Sequence, residues 1–90
     1  MSFEIYLHPK ADEFLNSLDL VIAEKIKNRL RELVEEPDKK GETLTPTLFK
    51  KIRIGVYRAI YEIIWTDSRV NVLFIGHRSN VYDDFKRIFL

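Results

Sequence analysis

Apolar positions change period twice along this chain. Phe3, Ile5 and Leu7 alternate with Glu4 and Tyr6 as in a half-buried strand, and the ladder must stop at His8-Pro9 because proline has no N–H to donate. Pro9 is a favoured first helical residue, and Ala11, Phe14, Leu15 and Leu18 then recur at i, i+3, i+4, i+7, which predicts a helix with one buried stripe. Asp19 can cap a second helix whose stripe is Ile22, Ile26, Leu30, Leu33 and Val34 and whose end is Glu35-Glu36-Pro37. The two are expected to pack as a hairpin. Residues 37–45 are polar, contain Gly41 and read as a loop.

Beyond the loop the period returns to two. Strands are expected over residues 47–54, 56–65 and 70–78, with short turns at Gly55 and Asp67-Ser68 that make an antiparallel meander. A final helix begins near Asn80: Asp83 and Asp84 at its start and Lys86 and Arg87 near its end suit the helix dipole, and Tyr82, Phe85 and Phe89 share one side. The predicted architecture is a single α+β domain over residues 1–90, β-α-α-β-β-β-α, with the meander packed against the helical hairpin.

Composition narrows the chemistry. With no cysteine, disulfides, thiolate nucleophiles and Cys-based zinc sites are excluded and a reducing compartment fits best. Neither a signal-peptide-like segment nor a bilayer-length apolar run is present, so a cytoplasmic protein without membrane attachment is expected. The net charge of +1 conceals an asymmetry: residues 1–45 carry seven Lys/Arg against ten Asp/Glu, whereas residues 46–90 carry eight against four. That makes a basic face on a nearly neutral body, although four excess charges also suit an ordinary solvated surface.

Strand geometry decides which cations can cooperate. Lys51 and Arg53 share a face while Leu48, Ile52 and Ile54 point the other way, and a two-residue turn at Gly55 would bring Arg58 onto the face of Lys51 and Arg53. At the next hairpin one register sets Arg58 opposite His77 and a slip of one residue sets it in register with Arg78. Both registers stay open.

Lys51, Arg53, Tyr57-Arg58 with Ile60-Tyr61-Glu62-Ile63, Gly76-His77-Arg78 and Val81-Tyr82 together resemble the RelE/ParE toxin superfamily, and the RelE branch of messenger-RNA interferases in particular. The resemblance covers nearly the whole chain. It implies a RelE-like microbial RNase fold and the toxin of a type II toxin–antitoxin pair, a ribosome-dependent endoribonuclease that cuts the A-site messenger and is held by a RelB-like antitoxin. It also implies roles residue by residue: Lys51 on the transition-state phosphate, Arg58 gripping the scissile phosphate, Arg78 on the phosphate or the leaving group, and Tyr82 orienting or deprotonating the 2′-hydroxyl. Lys50 and Arg53 would help bind the RNA. Phe49 and His77 stand where relatives carry lysines.

The residues themselves favour metal-free chemistry. Attack by an RNA 2′-hydroxyl on its neighbouring phosphate needs a base, an acid and cations around phosphorus, and Glu62 and Asp67 are too few carboxylates between Thr45 and Tyr82 for a two-metal site. No cofactor is expected. His77 can act as acid or base near neutral pH, or simply hydrogen-bond a neighbour. Tyr57, Tyr61 and Trp65 read as packing groups, Arg53 and Arg69 can be surface charges, and His8 reads as a loop residue. Glu62 is expected to hold Arg58 or Arg78 by a salt bridge. The alternatives in function are a ParE-like gyrase-inhibiting toxin and a non-catalytic binding module of the same fold.

Overall fold

A computed structural model describes residues 2–44 and 48–90. The elements run β1 (Glu4–Leu7), α1 (Pro9–Asn16), α2 (Leu20–Arg31), α3 (Pro37–Lys40), β2 (Glu42–Thr43), β3 (Lys50–Ile54), β4 (Tyr57–Ile64), β5 (Arg69–His77) and α4 (Val81–Phe89). Five strands form one sheet in the order β1-β5-β4-β3-β2, with β1 parallel to β5 and the rest antiparallel. The expected strand, helical hairpin, meander and final helix are all present.

Local chemistry explains most boundaries. Pro9 opens α1, where the His8 imidazole caps the start by accepting from the Lys10 N–H at 3.0 Å. Asp19 caps α2 by accepting from the Val21 N–H at 3.1 Å. Gly55 takes φ 59°, the positive value that a tight two-residue hairpin needs at its first central position.

Four expectations are corrected. The supposed loop after Pro37 holds α3 and β2, because proline serves as a first helical residue and Glu42–Thr43 then adds to the free edge of β3. Its last expected residue, Thr45, and the expected start of the next strand, Thr47, lie outside the described residues. Helix α2 stops at Arg31, and Leu33 and Val34 follow in a 3-10 turn. Ile22 is exposed, since the buried stripe is Ala23, Ile26 and Leu30, where a small residue lets the helix approach the sheet. Leu48 precedes β3 and is 97% exposed, so it does not point into the core with Ile52.

Each face of the sheet has its own apolar cluster. Behind it, α1 and α2 close over Ile52, Ala59, Tyr61, Val70, Val72 and Ile75. In front, α4 lays Val81 and Phe85 on Ile60 and Leu73, flanked by Phe49, Phe74 and Phe89. The front cover is short, and it leaves part of that face open.

Candidate functional site

Register places the cations. Arg53 stands directly opposite Arg58, and Lys51 lies two residues from Arg53 on the same face. Across the other hairpin Arg58 pairs with Gly76, not with His77 or Arg78. The cause is a β-bulge: Tyr61 pairs with Val72 but Ile60 pairs with Phe74, so Leu73 is an extra residue in β5. Without that insertion Arg58 would share its face with His77. With it, Arg78, two residues beyond Gly76, comes to the Arg58 face, fixed by its N–H donating to the Val56 carbonyl at 2.8 Å.

Gly76 also seats the final helix. A Cβ there would lie 3.0 Å from Val81 Cγ2, so the bare backbone opposite Arg58 is where the start of α4 packs. The next residue, Tyr82, is thereby delivered to the cationic end of the sheet, where Lys51 Nζ lies 5.2 Å from its ring centroid.

These side chains line one cavity of about 520 Å³, a volume typical of ligand sites. Lys51, Arg53, Arg58, Arg78 and Tyr82 all face it. So do Arg29 from α2 and Lys40 from the end of α3, which no sequence spacing links to the sheet. Glu42 is the one carboxylate on the wall among the described residues. Arg58 Nη1 donates to the carbonyls of Gly55 at 2.9 Å and Tyr57 at 2.8 Å, which fixes the guanidinium in place. Arg29 is paired with Glu32 at 2.5 Å, whereas Lys51, Arg53, Arg58 and Arg78 have no ion-pair partner among the described residues.

Two sequence-predicted residues lie elsewhere. His77 pairs with Tyr57 on the opposite face, its ring 6.2 Å edge-on from that tyrosine, and its Nδ1 accepts from the Ser79 N–H at 3.1 Å. Lys50 donates to the Asp38 carbonyl at 3.0 Å and ties α3 to β3. Glu62 accepts from Asn71 Nδ2 at 3.2 Å and bridges neither Arg58 nor Arg78, because its row on the sheet is two residues beyond Ile60, away from both. Trp65 is largely exposed with its ring against Phe3, while Tyr61 is fully buried.

The segment that forms the cavity rim is clamped from below. The Tyr61 hydroxyl donates to the Pro37 carbonyl at 2.6 Å, and burial, with the Asp38 carboxylate adding, pushes its phenol up to about 12. Gly41 has no room for a side chain: a Cβ would stand 2.3 Å from Tyr61 Oη and 2.6 Å from the Lys51 carbonyl oxygen. Among the described residues no group of three His, Cys, Asp or Glu side chains could hold a metal ion, and no helix is long and apolar enough to cross a membrane.

The same fold occurs in toxins. A mutant of the E. coli toxin RelE in the free state is 26% identical, covering 99% of this chain and 100% of that one with a TM-score of 0.75. The toxin–antitoxin complex RelBE2 from Mycobacterium tuberculosis gives 23% identity, 88% and 94% coverage and a TM-score of 0.80. The chromosomal ParDE system of P. aeruginosa gives 11% identity, 84% and 96% coverage and a TM-score of 0.74. No curated protein sequence matches the chain. Residues 5–82 match the family described as ParE toxin of type II toxin-antitoxin system, parDE. The chain belongs to that family: it is a type II toxin of RelE/ParE type.

Proposed function

We propose that this toxin is a ribosome-dependent endoribonuclease that cuts messenger RNA in the A site by metal-free attack of the RNA 2′-hydroxyl. The observation that carries the reading is Arg53 directly opposite Arg58, with Lys51 and Arg78 beside them and no ion-pair partner for any of the four among the described residues. Like charges in a cross-strand pair destabilise a sheet, so their retention on one cavity wall is accounted for by an anion that sits among them. A phosphodiester meets that requirement, and guanidinium forks suit its oxygens.

In this reading Arg58 grips the scissile phosphate, and Lys51 and Arg78 stabilise the charge on pentacoordinate phosphorus. Tyr82, half-buried at the start of α4, orients the ribose and stacks on a base. Arg53, Arg29 and Lys40 guide the strand in. His77 receives no part, since it faces the other side of the sheet. The toxin acts in the cytoplasm, and its partner is a RelB-like antitoxin whose acidic side chains cover the cavity; support comes from the RelB-bound complexes of proteins that share this fold.

The match to the ParE family favours a second reading, gyrase inhibition through protein contacts. One experiment separates the two. Purified toxin is incubated with programmed ribosomes, with the same messenger free in solution, and with gyrase in a supercoiling assay. Cutting confined to the ribosome-bound messenger supports the nuclease, and loss of supercoiling with intact messenger supports the gyrase poison.

A further inference from the structure

The cavity does not stop at the front of the sheet. Ile52 lines it although its side chain is buried in the rear cluster, and Arg29 reaches it from α2, a helix that covers the rear. The space in front of Lys51, Arg53, Arg58 and Arg78 therefore continues over the edge of β3. That edge is open because β2 has only two residues. Glu42 pairs with Lys51 and Thr43 with Lys50, while Lys40, which would come opposite Arg53, already belongs to α3.

Backbone parity adds a donor there. The Leu44 N–H donates to the Phe49 carbonyl at 2.9 Å, and bonded and non-bonded pairs alternate along an antiparallel ladder, so Phe49, Lys51 and Arg53 turn their amides outward from β3. Lys51 meets Glu42, whereas Arg53 lies past the end of β2 and the ladder gives its N–H no partner. Lys40 lines the same stretch and has no ion-pair partner among the described residues. Arg29 stands close enough to the Tyr61 hydroxyl, beneath Gly41, for its charge to oppose the upward push on that phenol. Its pair with Glu32 is open to solvent, and such pairs contribute little, so an arriving anion can draw the guanidinium away.

We propose that this edge is a second phosphate subsite, in which Arg29, Lys40 and the Arg53 N–H take the phosphodiester next to the one held by Arg58; this rests on the nuclease reading above. The RNA strand then bends over the edge of β3 instead of lying along the front face. Two cations and an outward N–H suit a phosphate oxygen, since charge-assisted hydrogen bonds are the strong ones. Arg29 and Lys40 take no part in breaking the bond. They are positioning residues that fix which linkage lies at Arg58.

The test uses the full toxin and an all-deoxy trinucleotide, which has two phosphodiesters and no 2′-hydroxyl to react. Its affinity is compared, over a salt series, with that of the same trimer carrying an uncharged methylphosphonate at one linkage or the other. Wild type should hold the doubly charged trimer about tenfold more tightly, the contribution of one charge-assisted hydrogen bond, with a salt slope steeper by about 0.7. Arg29→Gln should abolish that preference and leave the singly charged trimers bound as before, and Lys40→Gln should reduce it. Glu32→Gln, which frees Arg29, should enlarge it, a gain that a merely structural role for Arg29 would not give. Lys10→Gln, outside the cavity, should change nothing. Thermal melts show whether each variant is folded, and the wild-type comparison needs no variant at all. Equal binding of charged and half-neutralised trimers by wild type, or a folded Arg29→Gln with its preference intact, would overturn the subsite and leave cutting at Arg58 standing. Cutting on programmed ribosomes is scored separately, and intact messenger there would overturn the nuclease reading and the substrate assigned to this edge.

Discussion

Behind the sheet, Ala59, Val70, Val72 and Ile75 are sealed against the helical hairpin, and the Tyr61 hydroxyl among them is satisfied by the Pro37 carbonyl. In front, Arg53 faces Arg58 across a strand pair, Lys51 and Arg78 stand beside them, and the cavity they line stays open. The contrast extends to charges at large. Lys27, Arg29, Lys39 and Arg87 each have a carboxylate three residues away on their own helix or turn, the ordinary arrangement for solvated cations. Among the described residues Lys51, Arg53, Arg58 and Arg78 lack such partners. One face is arranged for stability, and the other keeps unneutralised charge together at a cost to stability, as expected of a binding surface.

That comparison is broken most sharply at Arg58. Arg58→Ala should cost about 3 to 4 kcal/mol on the cleavage barrier, a 10²- to 10³-fold loss in single-turnover rate. Its two backbone hydrogen bonds are worth on the order of 1 kcal/mol each, and relief of the like-charge pair with Arg53 offsets part of their loss, so thermal stability should move little. A variant that melts far below wild type would move Arg58 into the structural half of the comparison.

Gly41→Ala tests the join between the halves. Its new methyl would meet the Lys51 carbonyl oxygen and Tyr61 Oη, and overpacking of this kind costs about 1 to 3 kcal/mol. Denaturant unfolding should show that loss, and the cleavage rate should fall with it as Lys40 leaves the rim. A stable variant that cuts normally would detach the clamp from function.

Tyr61→Phe removes one oxygen and leaves the cavity wall in place. It leaves the Pro37 carbonyl without its buried donor, at a cost of about 1 to 3 kcal/mol. Its pH dependence has a definite sign. Because burial raises the folded-state phenol from 10.0 to about 12, the neutral form is favoured on folding, so this contribution is present below pH 10.0 and is lost as pH climbs to about 12. Wild type should therefore lose stability more steeply than Tyr61→Phe over that window, as followed by alkaline unfolding curves. Parallel curves would mean that the hydroxyl is not held as described.

How far the sequence revealed this depended on the length scale of each signal. The alignment of Arg53 with Arg58 was legible because Gly55 announces a two-residue turn, and such a turn sets parity on its own. The choice between His77 and Arg78 was not, because it depends on one inserted residue, Leu73, that alternates like any other strand position. Pro37 and Gly41 did carry signals for α3 and the tight approach of β2, but polar residues between them hid a strand only two residues long. Arg29 and Lys40 reach the cavity only through tertiary packing. Ile22 misled because it lies at the margin of a stripe whose actual first member is the small Ala23. Tyr82 was legible as part of an amphipathic helix, but its arrival beside Lys51 required the bare Gly76 beneath Val81.

On the proposed nuclease reading, the cationic cavity activates the substrate's own 2′-hydroxyl. The most direct measurement uses two messengers that differ by a single atom, a 2′-hydroxyl or a 2′-hydrogen on the nucleotide before the cut, on ribosomes locked beforehand so that added divalent metal can be chelated. The hydroxyl messenger should be cut, with a 2′,3′-cyclic phosphate and a 5′-hydroxyl at the new ends, and the deoxy messenger should stay intact. Equal cutting of both, or a requirement for the chelated metal, would contradict that reading.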